Sequence, residues 1–417
     1  MKTKIISVKA REILDSRAKP TVECEIKLQD GSVGVASVPS GASTGAHEAI
    51  ELRDSNDPRY MRSGVLGAVK NVNEAIADAI VGMDACDMAK IDYTMITRDG
   101  TKNKSNLGAN AILSVSEAVA VAAADSLGLP LYRFLASDSA EFKMPLPMMN
   151  ILNGGAHAKN NIDIQEFMII PTSAPTFSEG VRMCVEVYHS LKKILAERNL
   201  QTSVGDEGGF APNLESDEEA LSLMCLAVQK SGYRPGVDFS FALDIAASEW
   251  KGENGYILPK RGAEYSAASL ADYVLSLCEK YPIISVEDGM GEDDLEGWRI
   301  LTDKLSPLGV NIVGDDLFVT NPERLKRGIA DKIANTILIK PNQIGTVTES
   351  RECVKIASSA GYKTIMSHRS GETECSFIAD LAVALGADFV KFGAPCRSER
   401  TAKYNRLMKI ESELKSF

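Results

Sequence analysis

The sequence predicts an α/β fold in two parts, a smaller α+β domain over residues 1–140 and an α/β barrel over residues 141–417. Three observations carry this. Six short apolar runs in the later part each end in a polar residue, and those residues fall 43, 28, 25, 28 and 23 positions apart. A strand, a helix and two loops need about 25 to 40 residues, the repeat of a TIM-like barrel of roughly 250 residues. The first third mixes strand and helix periodicities instead. Between the two, Met144-Pro145-Leu146-Pro147 reads as a linker or as the first strand of the second part. With 417 residues, 44% of them hydrophobic and 25% charged, the chain has the size for two domains and a globular composition.

In chain order, Val22, Cys24, Ile26 and Leu28 alternate with Glu23, Glu25 and Lys27, the period of a half-buried strand, and Asp30-Gly31 follows as a turn. Val69, Val72, Ile76 and Ile80 recur at helical spacing. Residues 108–127 form a long Ala- and Val-rich helix that Gly128 and Pro130 stop. The barrel runs are 239–243 before Asp244, 283–286 before Glu287, and 312–314 before Asp315. They continue with 336–339 before Lys340, 364–366 before Ser367-His368, and Phe389-Val390 before Lys391. Segments 350–360 and 378–385 supply helices for the outside.

Strand ends of a parallel barrel converge on one mouth. Any one of these polar residues alone reads as a strand-ending turn; six in succession read as a site. Asp244, Glu287 and Asp315, a few ångströms apart, would repel by about 4 kcal/mol per pair at 4 Å and an effective dielectric of about 20. A cation must offset that, and an all-oxygen ligand set selects Mg²⁺, with Mn²⁺ its near neighbour, over zinc or copper.

The charge balance of 46 basic against 57 acidic residues, net −11, predicts no nucleic-acid partner. The longest wholly apolar run, 118–124, is far short of the roughly 20 residues that cross a bilayer. Lys and Arg interrupt the N-terminal apolar stretch, so no secretory signal is expected. The 8 cysteines are dispersed without a CxxC pair, which predicts neither a zinc site nor a disulfide framework. These readings together predict a soluble, cytoplasmic protein with no membrane association.

Ten segments, in order, resemble the enolase family over essentially the whole length: AREILDSR (10–17), VPSGASTG (38–45), NGGAHAKNNIDIQEFMI (153–169), VGDEGGFAPN (204–213), ALDIAASEW (242–250), SVEDGMGEDD (285–294), VGDDLFVTN (313–321), LIKPNQIGT (338–346), SHRSGETE (367–374) and RSERTAKYN (397–405). The resemblance implies a hydro-lyase of glycolysis that reversibly dehydrates 2-phosphoglycerate to phosphoenolpyruvate. It implies two Mg²⁺ per site, the second entering with substrate, and a homodimer or higher homo-oligomer. By the same resemblance Asp244, Glu287 and Asp315 hold the first Mg²⁺, and Ser43, in a lid loop, the second. Lys340 is the general base, and Glu207 is the acid that protonates the departing hydroxyl, with Glu166 in support. Arg369 and Ser370 contact phosphate, and Lys391 neutralises the substrate carboxylate. His157, Gln165, Glu166, Ser367 and His368 complete the substrate pocket, whereas His47 and His189 are expected to be structural or exposed.

The chemistry explains why such groups are needed. A proton beside an ionised carboxylate is very weakly acidic, so charge aimed at the developing dianion raises the rate. A lysine base must drop from about 10.4 toward 7–8, and one of two packed carboxyls must stay protonated. Two alternatives stand beside this reading. One is another acid dehydratase or racemase of the superfamily, disfavoured by the lack of a Lys-x-Lys strand motif and by Arg369-Ser370. The other is a non-enzymatic relative, disfavoured by the complete set of charged groups. The chain departs from the family pattern at Ala18-Lys19, Arg98, Glu117, Val121, Trp250, Cys375 and Phe392. Phe392 directly follows Lys391 where a small Thr is usual, and strand alternation aims it away from the pocket.

Overall fold

The computed structural model describes residues 2–42, 45–136, 141–253 and 255–415. Strands β1 (Ile5–Leu14), β2 (Pro20–Leu28) and β3 (Val33–Ser37) form an antiparallel sheet in that order. Val22, Cys24, Ile26 and Leu28 are fully buried, as their alternation requires. They face the helix Ala109–Leu127, which ends at Gly128 in the left-handed conformation. Contact is close because of Gly34: a Cβ there would stand 2.1 Å from the Ala118 carbonyl oxygen and 2.3 Å from the Ala122 nitrogen. Ala109–Leu127 is the one described helix long and apolar enough to cross a membrane, and 78% of its apolar window is buried in the protein. The periodic segment before it is helical with one widened turn, Leu66–Asn71, Val72–Ile76 and Ala77–Ile80.

The second region begins with β4 (Leu146–Asn153), β5 (Glu166–Ile170) and β6 (Ser240–Asp244). A small side sheet follows, β7 (Lys251–Gly252), β8 (Gly255–Ile257) and β9 (Glu264–Tyr265). Then come β10 (Ile283–Glu287), β11 (Asn311–Gly314), β12 (Thr336–Ile339), β13 (Lys363–Ser367) and β14 (Phe389–Lys391). A closed barrel runs β4-β5-β6-β10-β11-β12-β13-β14 and back to β4.

One strand departs from the expected parallel pattern: β5 is antiparallel to β4 and to β6, while every other neighbouring pair is parallel. The reason lies in the connection. Two helices, Phe177–Glu197 and Asp217–Lys230, join β5 to β6. A helical hairpin returns the chain to the end it left, which suits antiparallel neighbours; a single crossover helix gives parallel ones. The first residue of β5 therefore shares the mouth with the last residues of the other strands, and Glu166 pairs with Asp244 and Asn153.

The pleat then sorts the side chains. Met148, Met168, Ala242, Val313, Leu338, Ile365 and Phe389, from seven different strands, form the apolar cluster inside the barrel. Two residues nearer the mouth on those strands stand Asn150, Glu166, Asp244, Asp315, Lys340, Ser367 and Lys391. On β10, buried Ser285 stands two residues before Glu287, and the pairing with β6 shifts register between Ile283 and Ser285. Val390 and Phe392 point the other way into the outer core, where the Phe392 ring lies 6.0 Å from that of Tyr404. The outward aim expected of Phe392 is thus observed.

Candidate active site

A narrow cleft opens at this mouth. It is lined by His157, Gln165, Glu166, Glu207, Asp244, Asp315, Lys340, Ser367, His368, Arg369, Ser370 and Lys391, all of which the sequence singled out. Glu287 is buried behind Lys391 rather than lining the cleft. Ser43 lies outside the described residues. Of the remaining histidines, His47 and His189 are exposed, and His47 Nε2 stands 3.0 Å from Asp293.

Cations and carboxylates alternate across the floor. Lys391 Nζ donates to Asp244 Oδ2 at 3.0 Å and to both Glu287 oxygens at 2.9 Å, and it lies 3.3 Å from Glu166 Oε2. Burial works against its charge, but these carboxylates outweigh burial and hold the ammonium well above its ordinary range. Lys340 Nζ donates to Asp315 Oδ2 at 2.5 Å, and Gln343 Nε2 donates to the other oxygen at 2.8 Å. For Lys340 too, burial pulls the pKa down and Asp315 more than reverses it, so the net shift is upward. The neutral amine expected of a base is therefore not the state in this arrangement. Glu287 is pushed well up, chiefly by burial and next by the Asp244 charge.

β12 lies four strands from β5 around the eight-stranded ring, so Lys340 and Glu166 occupy opposite walls. On the Glu166 side, Glu207 arrives from the loop between the two helices of the β5–β6 connection. Asn150 Nδ2 donates to Glu207 Oε2 at 3.1 Å, and His157 and His368 approach that oxygen at 3.8 and 3.5 Å. Burial pushes the Glu207 carboxyl up, but the two imidazoles and Arg400 outweigh it, and Glu207 ends well below the usual range. Glu166 moves the opposite way, raised by burial and by Glu207. One of the two packed carboxyls is thus raised, as expected, but it is Glu166 and not Glu207.

The imidazoles divide likewise. His157 is drawn down by burial but driven up by Glu207 and Glu166, to about 9. His368 is pushed down to about 3 by burial, with Arg400 opposing its charge. Arg400 Nη1 lies 2.6 Å from His368 Nδ1. A guanidinium can only donate, so that nitrogen accepts, and a neutral His368 carries its proton on Nε2, toward Glu207.

The anion-binding candidates stand beside a segment from the N-terminal region. Arg369 forks onto Glu48, Nη1 to Oε2 at 2.9 Å and Nη2 to Oε1 at 3.2 Å. Ser370 Oγ accepts from Arg17 Nη1 at 3.2 Å, and Arg17 also holds the Ser40 and Gly41 carbonyls.

Several cleft groups escaped the sequence reading. Asp288 accepts from the Asp315 and Asp316 amides at 3.0 and 2.9 Å, and Asp316 is pushed up to about 7 by burial and by Asp315. Among the described residues, the acidic oxygens close enough to share an ion are those of Asp288, Asp315 and Asp316, within 4.8 Å of one another. His157, Glu166 and Glu207 form a second such group. Only Asp315 is common to the first group and the sequence-predicted triad, because Lys391 stands between Asp244 and Glu287. Buried Arg400 bonds the carbonyls of Asp206, Arg369 and Ser370 and so ties two site loops together. Asp288 follows Glu287 directly and Arg400 lies within 397–405, so both were inside motifs already singled out.

A barrel with one reversed strand, whose mouth sets buried lysines against buried carboxylates, is arranged for acid–base chemistry. The family model for the enolase C-terminal TIM barrel domain matches residues 141–417, and that for the enolase N-terminal domain matches residues 5–135. The chain belongs to the enolase family.

Proposed function

We propose that the protein is a phosphopyruvate hydratase, which reversibly dehydrates 2-phosphoglycerate to phosphoenolpyruvate with Mg²⁺. The observation that carries this is the apposition, across one cleft, of Lys340 on one wall and the Glu166–Glu207–His157 group on the other, with Arg369 and Ser370 at its edge. In this reading Lys340 takes the α-proton and Glu207 delivers a proton to the departing hydroxyl. His157 Nδ1 lies 3.4 Å from Glu166 and 3.8 Å from Glu207, so the proton that His157 holds, with its pKa raised to about 9, is within reach of Glu207. The Arg369 guanidinium charge and the Ser370 hydroxyl suit phosphate oxygens.

Asp244, Glu287 and Asp315 are nearly fully buried and offer only oxygen donors, and lysine ammoniums now balance their charge. That donor set fits a hard divalent cation. Asp244, Glu287 and Asp315 would hold the first Mg²⁺, and Ser43 would contribute to a second that enters with substrate. When bound, Mg²⁺ supplies positive charge that favours the dianion formed by proton loss. Asp315, engaged as a ligand, would be less available as the partner that now holds the Lys340 amine protonated. We further propose a division at residue 140, cytoplasmic residence, and assembly as a homodimer or larger homo-oligomer. The test is direct: phosphoenolpyruvate absorbance should rise when 2-phosphoglycerate and Mg²⁺ are added and stop with EDTA. Folded protein that gives no Mg²⁺-dependent signal would exclude the assignment.

A further inference from the structure

We propose that Glu48 is a positioning residue for Arg369, so that the anion pocket of the barrel is completed by a segment from outside it. This rests on the reading of Arg369 as the phosphate arm and names what aims that arm.

Three observations support it. First, the contact is bidentate and buried: Glu48 accepts from Nη1 and Nη2 at 2.9 and 3.2 Å, and the two side chains are 8% and 4% exposed. A fork fixed through both terminal nitrogens loses its rotational freedom, unlike a single hydrogen bond. Second, Glu48 does not occupy the catalytic cleft. Arg369 lines that cleft, while Glu48 lines a separate cleft with Gly45, Ala46, Ala49 and Asn342, to which Arg369 also contributes. Arg369 therefore borders both spaces, whereas Glu48 borders only the second. Glu48 thus pairs with Arg369 from outside the catalytic cleft.

Third, the segment bearing Glu48 is itself fixed to the barrel on either side of it. The Ala46 amide donates to Glu292 Oε2 at 3.1 Å, and His47 Nε2 lies 3.0 Å from Asp293 Oδ1. The Ala49 amide donates to the Gln343 carbonyl at 2.8 Å. Glu48 Oε1 also accepts from the Gly45 amide at 3.1 Å, which sets the carboxylate plane. Gln343 in turn bonds Asp315. A carboxylate held this firmly orients its partner; a loose one would follow it.

The experiment compares the unmodified protein with Glu48→Gln, Glu48→Ala, Arg369→Lys and the Glu48→Gln/Arg369→Lys double variant. The readouts are KM and kcat for 2-phosphoglycerate, the inhibition constant of inorganic phosphate, and the Mg²⁺ activation constant. Removing the support should raise KM and the phosphate inhibition constant by about tenfold in Glu48→Ala, the scale at which supporting groups act. Glu48→Gln, which keeps one acceptor, should fall between, and kcat and the Mg²⁺ constant should change much less. In the Arg369→Lys background, Glu48→Gln should have little further effect, because the fork it aims is gone. Glu48 variants with unchanged or tighter phosphate binding would overturn the proposal, as would an equal effect in the Arg369→Lys background. Near-ultraviolet circular dichroism confirms folding, and Glu48→Gln, nearly isosteric, keeps the test open if the alanine variant fails. An unmodified protein that neither turns over nor binds phosphate would instead sink the functional reading beneath.

Discussion

Lys340, Glu207 and His157 show how far a residue's chemistry depends on its neighbours. Loss of the Lys340 side chain removes the proposed base while also freeing Asp315 from an ammonium 2.5 Å away. Lys340→Ala should therefore lower kcat by about 10²–10⁴-fold yet bind Mg²⁺ at least as tightly by calorimetry; substantial residual turnover would mean another group is the base. The histidines give a pH signature. Imidazole NMR should find His157 titrating near 9 and His368 near 3. His157 is raised above its ordinary 6.5, so its contribution to stability is full below about that pH and is lost as pH rises through about 9. Melting temperature should fall over that window, and His157→Gln should flatten the fall.

At the scale of the element, the two-residue pleat is the organising rule. It sends Phe392 into the outer core while Lys391 faces the cleft, so the large ring beside the site is a packing residue. Phe392→Ala should cost about 3–5 kcal/mol in urea unfolding and leave KM nearly unchanged; a large KM effect would show that the ring shapes the pocket. Gly34 plays the matching part in the N-terminal sheet, where the helix backbone would meet any Cβ at 2.1 Å. Gly34→Ala should destabilise by about 2 kcal/mol or more through overpacking, read in the same experiment.

For the molecule as a whole, the buried carboxylates are the main electrostatic liability, and the ligand that relieves them should stabilise the fold. Mg²⁺ at 100 times its dissociation constant should add about 2.7 kcal/mol, seen as a rise in melting temperature that EDTA reverses. Asp244→Asn with Glu287→Gln should abolish that rise; its survival would place the ion at Asp288, Asp315 and Asp316 instead.

Most of the barrel was legible in the sequence because few folds besides a barrel set a polar residue at the end of successive strands at so regular an interval. The runs before Asp244, Glu287, Asp315, Lys340, Ser367 and Lys391 became β6 and β10 to β14 nearly residue for residue. The reversal of β5 was not legible, since a five-residue apolar strand carries no sign of its direction; the helical hairpin after it decides that. Ionisation was out of reach for the same kind of reason. Residue types say that carboxyls and amines are present. Which carboxyl is raised follows from distances that only packing sets, and here Glu166 is raised and Glu207 lowered.

By itself, then, the sequence determined the architecture, the family and most of the cleft-lining groups, because period, spacing and motif are local properties of the chain. Only the tertiary structure decided that Lys391 stands among three carboxylates, that Arg400 joins loops from residues 206 and 369–370, and that Glu48 reaches Arg369. Each of those pairs residues far apart in the chain, and charge interactions fall off with distance in space, whatever the separation in sequence.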